Sequence, residues 1–199
     1  MPLTPVPLPA ADVLLDPAFL SAAEAESWLQ ELTSTIAWRH EPIKLFGREV
    51  MQPRLTAWHG DAGAAYRYSG LLLEPQPWTP ALQALRQQVE ESTGASFNSV
   101  LLNLYRSGQD SMGWHADDEP ELGPEPIIAS VSLGSARRFR LRPRPAAGPA
   151  HPPLTLELAA GSLLVMGGTT QRCWQHAVPK TAQAVGPRLN LTFRRVGNH

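Results

Sequence analysis

The segment Trp114-His115-Ala116-Asp117-Asp118 carries a histidine and a carboxylate two residues apart. In extended chain, residues two apart project to one face, so His115 and Asp117 can grip one metal ion while Asp118 points elsewhere. A third ligand must come from another strand. His176, in Trp174-Gln175-His176-Ala177-Val178, is the best candidate because it lies between β segments late in the chain. Two histidines and one carboxylate leave open positions for substrate and oxygen, the set that suits non-haem Fe(II). The pair alone equally suits a turn histidine beside solvated acids, and the same ligands suit zinc in a hydrolase. His40, His59, His151 and His199 lack a matching carboxylate and read as surface or local hydrogen-bonding residues.

A second constellation follows the third histidine. In Arg188-Leu189-Asn190-Leu191-Thr192-Phe193-Arg194 the polar residues share one face of a strand and the apolar residues the other. That polar face is either solvated or the wall of an anion pocket, since guanidinium forks bind carboxylates bidentately. Arg188 and Arg194 have Cα atoms about 20 Å apart at strand rise, so they would reach a shared ligand from opposite ends. A small dicarboxylate suits that arrangement. Asn103 and Tyr105 share a face of an earlier strand and offer an amide and a phenol to the same pocket.

Elements must hold these groups. Ser21 with Glu24 forms a capping box, and Ala25, Trp28, Leu29 and Leu32 follow as an amphipathic stripe. A second helix starts at Thr79-Pro80, buries Leu82, Leu85 and Val89, and stops at Gly94. Beyond Gly94 the period changes to two. Segments 99–105, 127–133, 138–142, 154–158, 162–166 and 188–195 read as strands, with turn residues between most of them. Short strands in series without intervening helices predict a sandwich or jelly roll. Pro2, Pro5, Pro7 and Pro9 mark residues 1–10 as an extended, flexible tail, and five prolines between Pro143 and Pro153 mark a long connection.

The chain has 199 residues, 43% of them apolar, enough for one domain with its own core and no disulfide. Its single cysteine, Cys173, excludes a disulfide framework and a cysteine zinc site, and a reducing, cytoplasmic setting follows. No apolar run reaches membrane length, and no basic start precedes an apolar stretch, so neither a membrane span nor a secretion signal is expected. Net charge is −1, so nucleic-acid binding through bulk charge is disfavoured and would need a local patch. Arg137, Arg138, Arg140, Arg142 and Arg144 supply one dense cluster, which is either a solvated strand edge or a set of phosphate contacts.

Taken together, Asn103-Leu104-Tyr105, His115-Ala116-Asp117-Asp118-Glu119, Ile128 through Gly134, His176 and the Arg188–Arg194 strand resemble, in order, the AlkB family of Fe(II)- and 2-oxoglutarate-dependent dioxygenases. The R-x-N-x-T-F-R ending is the most specific part, and the resemblance covers roughly residues 40–196. Phe46-Gly47, Pro53-Arg54, Gly60 through Gly63, Tyr66 through Gly70 and Pro77-Trp78 are similar to the eukaryotic duplex-DNA repair members. The resemblance implies a mainly β protein with flanking helices: a double-stranded β-helix (jelly roll), N-terminal helices and a nucleotide-recognition lid. Residues 11–199 would form one dioxygenase domain, with the lid near 40–78 and the core near 97–196.

The resemblance also assigns roles. It implies His115, Asp117 and His176 as Fe(2+) ligands, and Asn103, Tyr105, Arg188, Asn190, Thr192 and Arg194 around 2-oxoglutarate. Tyr66, Tyr68 and Glu119 match base-pocket positions, Phe46 matches a finger that fills the gap left by a flipped base, and Arg54 and Ser69 join the substrate set. Tyr68 stands where the duplex-DNA members carry Phe. The implied reaction uses O2 and 2-oxoglutarate to hydroxylate the N-methyl carbon of bases such as 1-methyladenine or 3-methylcytosine. It releases formaldehyde, succinate and CO2. The implied partner is alkylated DNA, with RNA as the alternative. A monomer is the default expectation, because no large apolar patch is left unexplained. Such a base must be flipped or single-stranded to be reached. A jelly roll that binds metal or sugar without catalysis is the competing class, and it leaves the two-arginine face unexplained.

Overall fold

The computed structural model describes residues 2–45, 48–64, 66–68 and 71–197; for 43–45, 48, 66–68 and 71–73 it describes backbone alone. The N-terminal half contains β1 (Thr4–Pro5), β2 (Asp12–Asp16), α1 (Ala22–Thr35), β3 (Pro42–Leu45), β4 (Arg48–Met51), β5 (Leu55–Gly60), β6 (Tyr66–Tyr68), β7 (Leu71–Leu73) and α2 (Pro80–Thr93). The C-terminal half begins with β8 (Ser99–Tyr105), β9 (Met112–His115), β10 (Ile128–Gly134), β11 (Arg137–Pro143) and β12 (Leu154–Leu158). It ends with β13 (Leu163–Gly167), α3 (Thr170–Cys173), β14 (Trp174–Val178) and β15 (Arg188–Arg194).

One large antiparallel sheet has the order β1-β2-β13-β10-β15-β8-β5, and a smaller one the order β12-β11-β14-β9. The two hairpins β3-β4 and β6-β7 stand apart from both. This is the expected jelly roll with helices on one side. Helix α1 carries the capping box: Glu24 N–H donates to Ser21 Oγ at 3.3 Å, and Ser21 N–H donates to Glu24 Oε2 at 2.9 Å. Helix α2 begins on the Thr79 cap and ends at Gly94, whose φ of 68° is the left-handed conformation that stops a helix.

The two apolar clusters explain where each face of a strand goes. Leu189, Leu191 and Phe193 pack with Leu32, Leu82, Leu85 and Val89, so the apolar side of β15 is covered by the helices. Phe139, Leu141, Leu164, Met166 and Trp174 form a second cluster between the sheets. The polar side of β15 therefore points into the space between the sheets, and the solvated alternative for that face is excluded.

Two local features differ from the sequence reading. The first ten residues are extended, as their prolines require, but they are bound: Thr4–Pro5 pair with Leu14–Leu15, Leu8 is buried, and Trp174 Nε1 donates to the Pro9 carbonyl at 3.0 Å. Proline lacks an N–H and is tolerated at the sheet edge, where β1 lies. In addition, β2 and β5 extend the large sheet on both sides, although neither segment shows a clean period of two in sequence. No helix among the described residues is long and apolar enough to cross a membrane.

Candidate active site

Strands β9 and β14 pair so that His115 and His176 stand opposite each other. Their ring centroids are 4.2 Å apart, and Asp117, just past the end of β9, places Oδ2 3.6 Å from His176 Nε2. One ligand atom from each of His115, Asp117 and His176 lies within 4.8 Å of the others, a donor set that fits one ion. His115 Nδ1 is 2.9 Å from the Gly113 carbonyl; donation there fixes the tautomer and leaves Nε2 as the ligand nitrogen. Phe139 stacks on His176 with centroids 5.2 Å apart, holding that ring in plane.

Asp117 is oriented from two sides. Arg194 Nη2 donates to Oδ1 at 2.6 Å, and the Asp117 N–H donates to Gln171 Oε1 at 3.0 Å. Burial alone would raise the Asp117 pKa; the charge of Arg194 and the two nearby imidazoles more than offset it and hold the carboxyl far below its ordinary range. Burial, then the neighbouring His115, pull the pKa of His176 down to about 3. The triad is thus a carboxylate and a neutral, buried imidazole beside a partly buried one, the protonation states a metal requires.

The wall behind the triad is the polar face of β15 in register with β8 and β10. Arg188 lies opposite Tyr105, and Asn190 lies between Asn103 on one side and Ser132 on the other. Asn190 Nδ2 donates to Ser130 Oγ at 2.7 Å, and Thr192 Oγ1 donates to Asn190 Oδ1 at 3.1 Å. Arg188 is 2% exposed. Its Nη2 donates to Ser132 Oγ at 3.0 Å, and the Tyr105 ring centroid lies 5.3 Å from Cζ. Arg188 Nε and Nη1 are buried without an acceptor among the described residues. Such N–H groups are costly to leave unmade, and an anion is the kind of group that would satisfy them.

A cavity of about 110 Å³ joins these parts. His115, Asp117 and His176 line it together with Asn103, Tyr105, Asn190, Thr192, Arg194 and Glu119. Glu119 Oε2 is buried without a partner among the described residues. Arg54, expected at the substrate, is buried and donates Nε–H to Asn103 Oδ1 at 2.7 Å, so it stands behind the cavity wall. Tyr66 and Tyr68 lie on β6, within a hairpin whose backbone alone is described. Phe46 and Ser69 lie outside the described residues, as does His199. His59 is buried with Nδ1 2.8 Å from the Pro77 carbonyl, a local role as expected.

The arginine cluster divides. Arg137 turns inward and donates to the carbonyls of Ser107, Asp110 and Pro179 at 3.1, 2.9 and 2.7 Å, which removes it from any phosphate-binding set. Arg144 pairs with Asp118 at 2.5 Å. Ser130, Ser132 and Gln171 take part in the site and were not singled out from sequence. The serines alternate along their strand as the site face of β15 does, which is the one signal for them; Gln171 has none.

Comparison with known proteins agrees with this geometry. Residues 12–194 match the profile of the 2OG-Fe(II) oxygenase superfamily. The chain is 44% identical over 92% of its length to the bovine alpha-ketoglutarate-dependent dioxygenase alkB homolog 3, and covers 66% of that protein. It is 42% identical over 96% of its length to the human homolog 3, covering 68% of it, and 42% identical over 87% to the mouse DNA oxidative demethylase ALKBH2, covering 76%. The chain spans about two thirds of the length of the homolog 3 relatives. A solved structure described as OsALKBH1 superposes over 98% of the chain and 100% of its own, with a TM-score of 0.68 and 17% identity, which is agreement in fold. With the triad, the two-arginine strand and the jelly roll all in place, the chain belongs to the AlkB family within the 2OG-Fe(II) oxygenase superfamily.

Proposed function

We propose that this chain removes N-linked methyl groups from alkylated DNA bases of the 1-methyladenine and 3-methylcytosine type, as an Fe(II)- and 2-oxoglutarate-dependent dioxygenase. The observation that carries the reading is that the His115/Asp117/His176 triad opens into the cavity bounded by Arg194 and Asn190 of β15. When bound, the iron and its cosubstrate supply the oxidising power, consuming O2 and giving succinate, CO2 and a hydroxylated methyl that leaves as formaldehyde.

The protein's share is geometry and charge. His115, Asp117 and His176 would hold the ion on one side and leave its other positions to ligands. Arg188, with two buried N–H groups unmet, would take one carboxylate of 2-oxoglutarate, and Asn103, Tyr105, Asn190, Thr192 and Arg194 would orient the rest. Glu119, whose buried Oε2 faces the same cavity, would accept a hydrogen bond from the exocyclic amine of a flipped base. Tyr66 and Tyr68 would stack and bond that base, Phe46 would fill the space it leaves, and Ser69 would join the lid contacts; these rest on the sequence resemblance. Arg54 would act through Asn103.

The same reading takes residues 11–199 as one catalytic domain, with the lid near 40–78 and the core near 97–196, acting as a monomer in the cytoplasm. The name of one relative at 42% identity, the mouse DNA oxidative demethylase, supports a DNA substrate. The test uses anaerobic protein with Fe(II), 2-oxoglutarate and a 1-methyladenine oligonucleotide, DNA and RNA in parallel. Air is then admitted and methyl loss followed by mass spectrometry. Loss that requires iron, 2-oxoglutarate, oxygen and an intact His115 supports the reading. Conversion of 2-oxoglutarate with the base untouched would keep the oxygenase and reject the substrate.

A further inference from the structure

A groove larger than the triad's cavity lies elsewhere on the described surface. A groove of about 630 Å³ crosses the outer face of the four-stranded sheet, lined by Arg138 and Arg140 of β11, Thr155 and Glu157 of β12, and Lys180 and Thr181 beyond β14. Phe139 and Leu141 enter the core between the sheets, so alternation along β11 turns Arg138, Arg140 and Arg142 outward. Arg138, Arg140 and Lys180 are exposed, and among the described residues none has a carboxylate partner. Other arginines are neutralised: Arg39 by Glu41, Arg86 by Asp61 and Glu90, Arg106 by Asp110. A chain of net charge −1 thus gathers three cations that form no ion pair among the described residues along one groove, where Glu157, opposite Arg138 in the β11–β12 register, is the one lining carboxylate.

An aromatic platform adjoins them. Trp114 precedes His115 on β9, the edge strand of the same sheet, and because His115 faces the cavity Trp114 faces outward. Arg142 Cζ lies 4.3 Å and Arg140 Cζ 5.6 Å from the Trp114 ring centroid. Trp114, Arg142, Arg140, Arg138 and Lys180 therefore mark a stripe that starts at the edge strand carrying a metal ligand and runs away from it.

We propose that this stripe is a second nucleic-acid surface, a track for the single-stranded segment that flanks the base under repair. The inference rests on the nucleic-acid reading above and extends it beyond the catalytic cavity. The Trp114 ring and the Arg142 guanidinium take unstacked bases, and Arg140, Arg138 and Lys180 take phosphates. Residues two apart on a strand are about 6.7 Å apart, a step comparable to that between phosphates of an unstacked strand. The platform favours a single strand because a duplex keeps its base faces stacked on one another.

The test is binding of an unmodified single strand of about 20 nucleotides by fluorescence anisotropy over a range of salt, which needs no turnover. Loss of two phosphate contacts in Arg138→Glu/Arg140→Glu should weaken binding at least about tenfold and flatten the salt slope by about 1.4, with a smaller change on a blunt duplex. Photo-cross-linking of a 5-iodouracil strand to the unaltered protein should label Trp114, which keeps the test decisive if the double variant fails to fold. Unchanged affinity and slope in a folded variant, or cross-links confined to other faces, would overturn the track. Equal weakening for the duplex would overturn its assignment to single strands. A protein that binds through this face yet leaves a methylated base intact would reject the proposed activity and keep the track.

Discussion

Arg54 Nε donates to Asn103 Oδ1 at 2.7 Å, joining the start of β5 to the middle of β8 across 49 residues of chain, with both side chains buried. The bond occupies the amide oxygen of Asn103, so what Asn103 offers the cavity is its Nδ2 donor. An arginine buried behind an amide is expected to act through that amide rather than on the nucleic acid. Arg54→Ala should therefore raise the KM for 2-oxoglutarate about tenfold, the equivalent of one lost hydrogen bond to a charged group, and leave the KM for the oligonucleotide within about twofold. Steady-state kinetics with each substrate varied in turn decides it. A selective rise in the oligonucleotide KM would return Arg54 to the substrate contacts that its sequence position suggests.

Arg188 is a buried charge with two donors unmet among the described residues, and its removal should separate stability from cosubstrate binding. An apolar side chain of similar reach removes an uncompensated charge from the core between the sheets. Arg188→Met should melt no lower than the parent in the absence of 2-oxoglutarate. It should bind 2-oxoglutarate roughly 100-fold more weakly, the cost of about 3 kcal/mol for a lost charge-assisted pair. Calorimetric titration of Mn(II)-loaded protein with 2-oxoglutarate, beside thermal melts, measures both. An unchanged affinity would remove Arg188 from the cosubstrate wall.

The β15 strand shows how far the sequence could be read and where reading stopped. Strict alternation from Arg188 to Arg194 assigned the two faces before any partner was known, because one strand contains all the information that its own pleat needs. The triad was legible for a weaker reason. His115 and Asp117 lie close in sequence, but His176 joins them only through the pairing of β14 with β9, which no local pattern encodes. Gln171 and Ser130 stayed hidden because their roles exist only across strands. Arg137 was misassigned for the same cause: five arginines in eight residues look alike until one of them finds three carbonyls.

His59 makes the stability of the protein depend on pH. Its Nδ1–H donates to the Pro77 carbonyl, and Nε2 is buried with no partner among the described residues, so protonation would put a charge where nothing receives it. Burial lowers its pKa from the ordinary 6.5, and the Pro77 contact only partly opposes this. The unfolded chain then binds the extra proton first. The stabilisation is complete above about pH 6.5 and is lost as pH falls below that value. Urea midpoints at about pH 7.5 and 5.5 should show the fall. His59→Asn keeps an N–H near Nδ1 without a titrating ring, and the gap between its two midpoints should be smaller. His176, buried with its pKa at about 3, acts in the same direction and leaves a residual gap in metal-free protein.

Gln171 sits on the short helix α3 and accepts the N–H of Asp117 at 3.0 Å, while its Nε2 lies 3.7 Å from Met166 Sδ. It touches no ligand atom of the triad. Its effect is to fix the backbone from which Asp117 reaches the ion, complementing the grip of Arg194 on Oδ1. Groups that orient a metal ligand typically affect affinity by ten- to a hundredfold. Gln171→Leu, which fills a similar volume and cannot accept, should weaken Mn(II) or Fe(II) binding by about tenfold in calorimetry. At saturating metal the KM for 2-oxoglutarate should be nearly that of the parent, because the β15 wall is intact. If metal affinity holds while the KM for 2-oxoglutarate rises, Gln171 shapes the cavity and does not position Asp117.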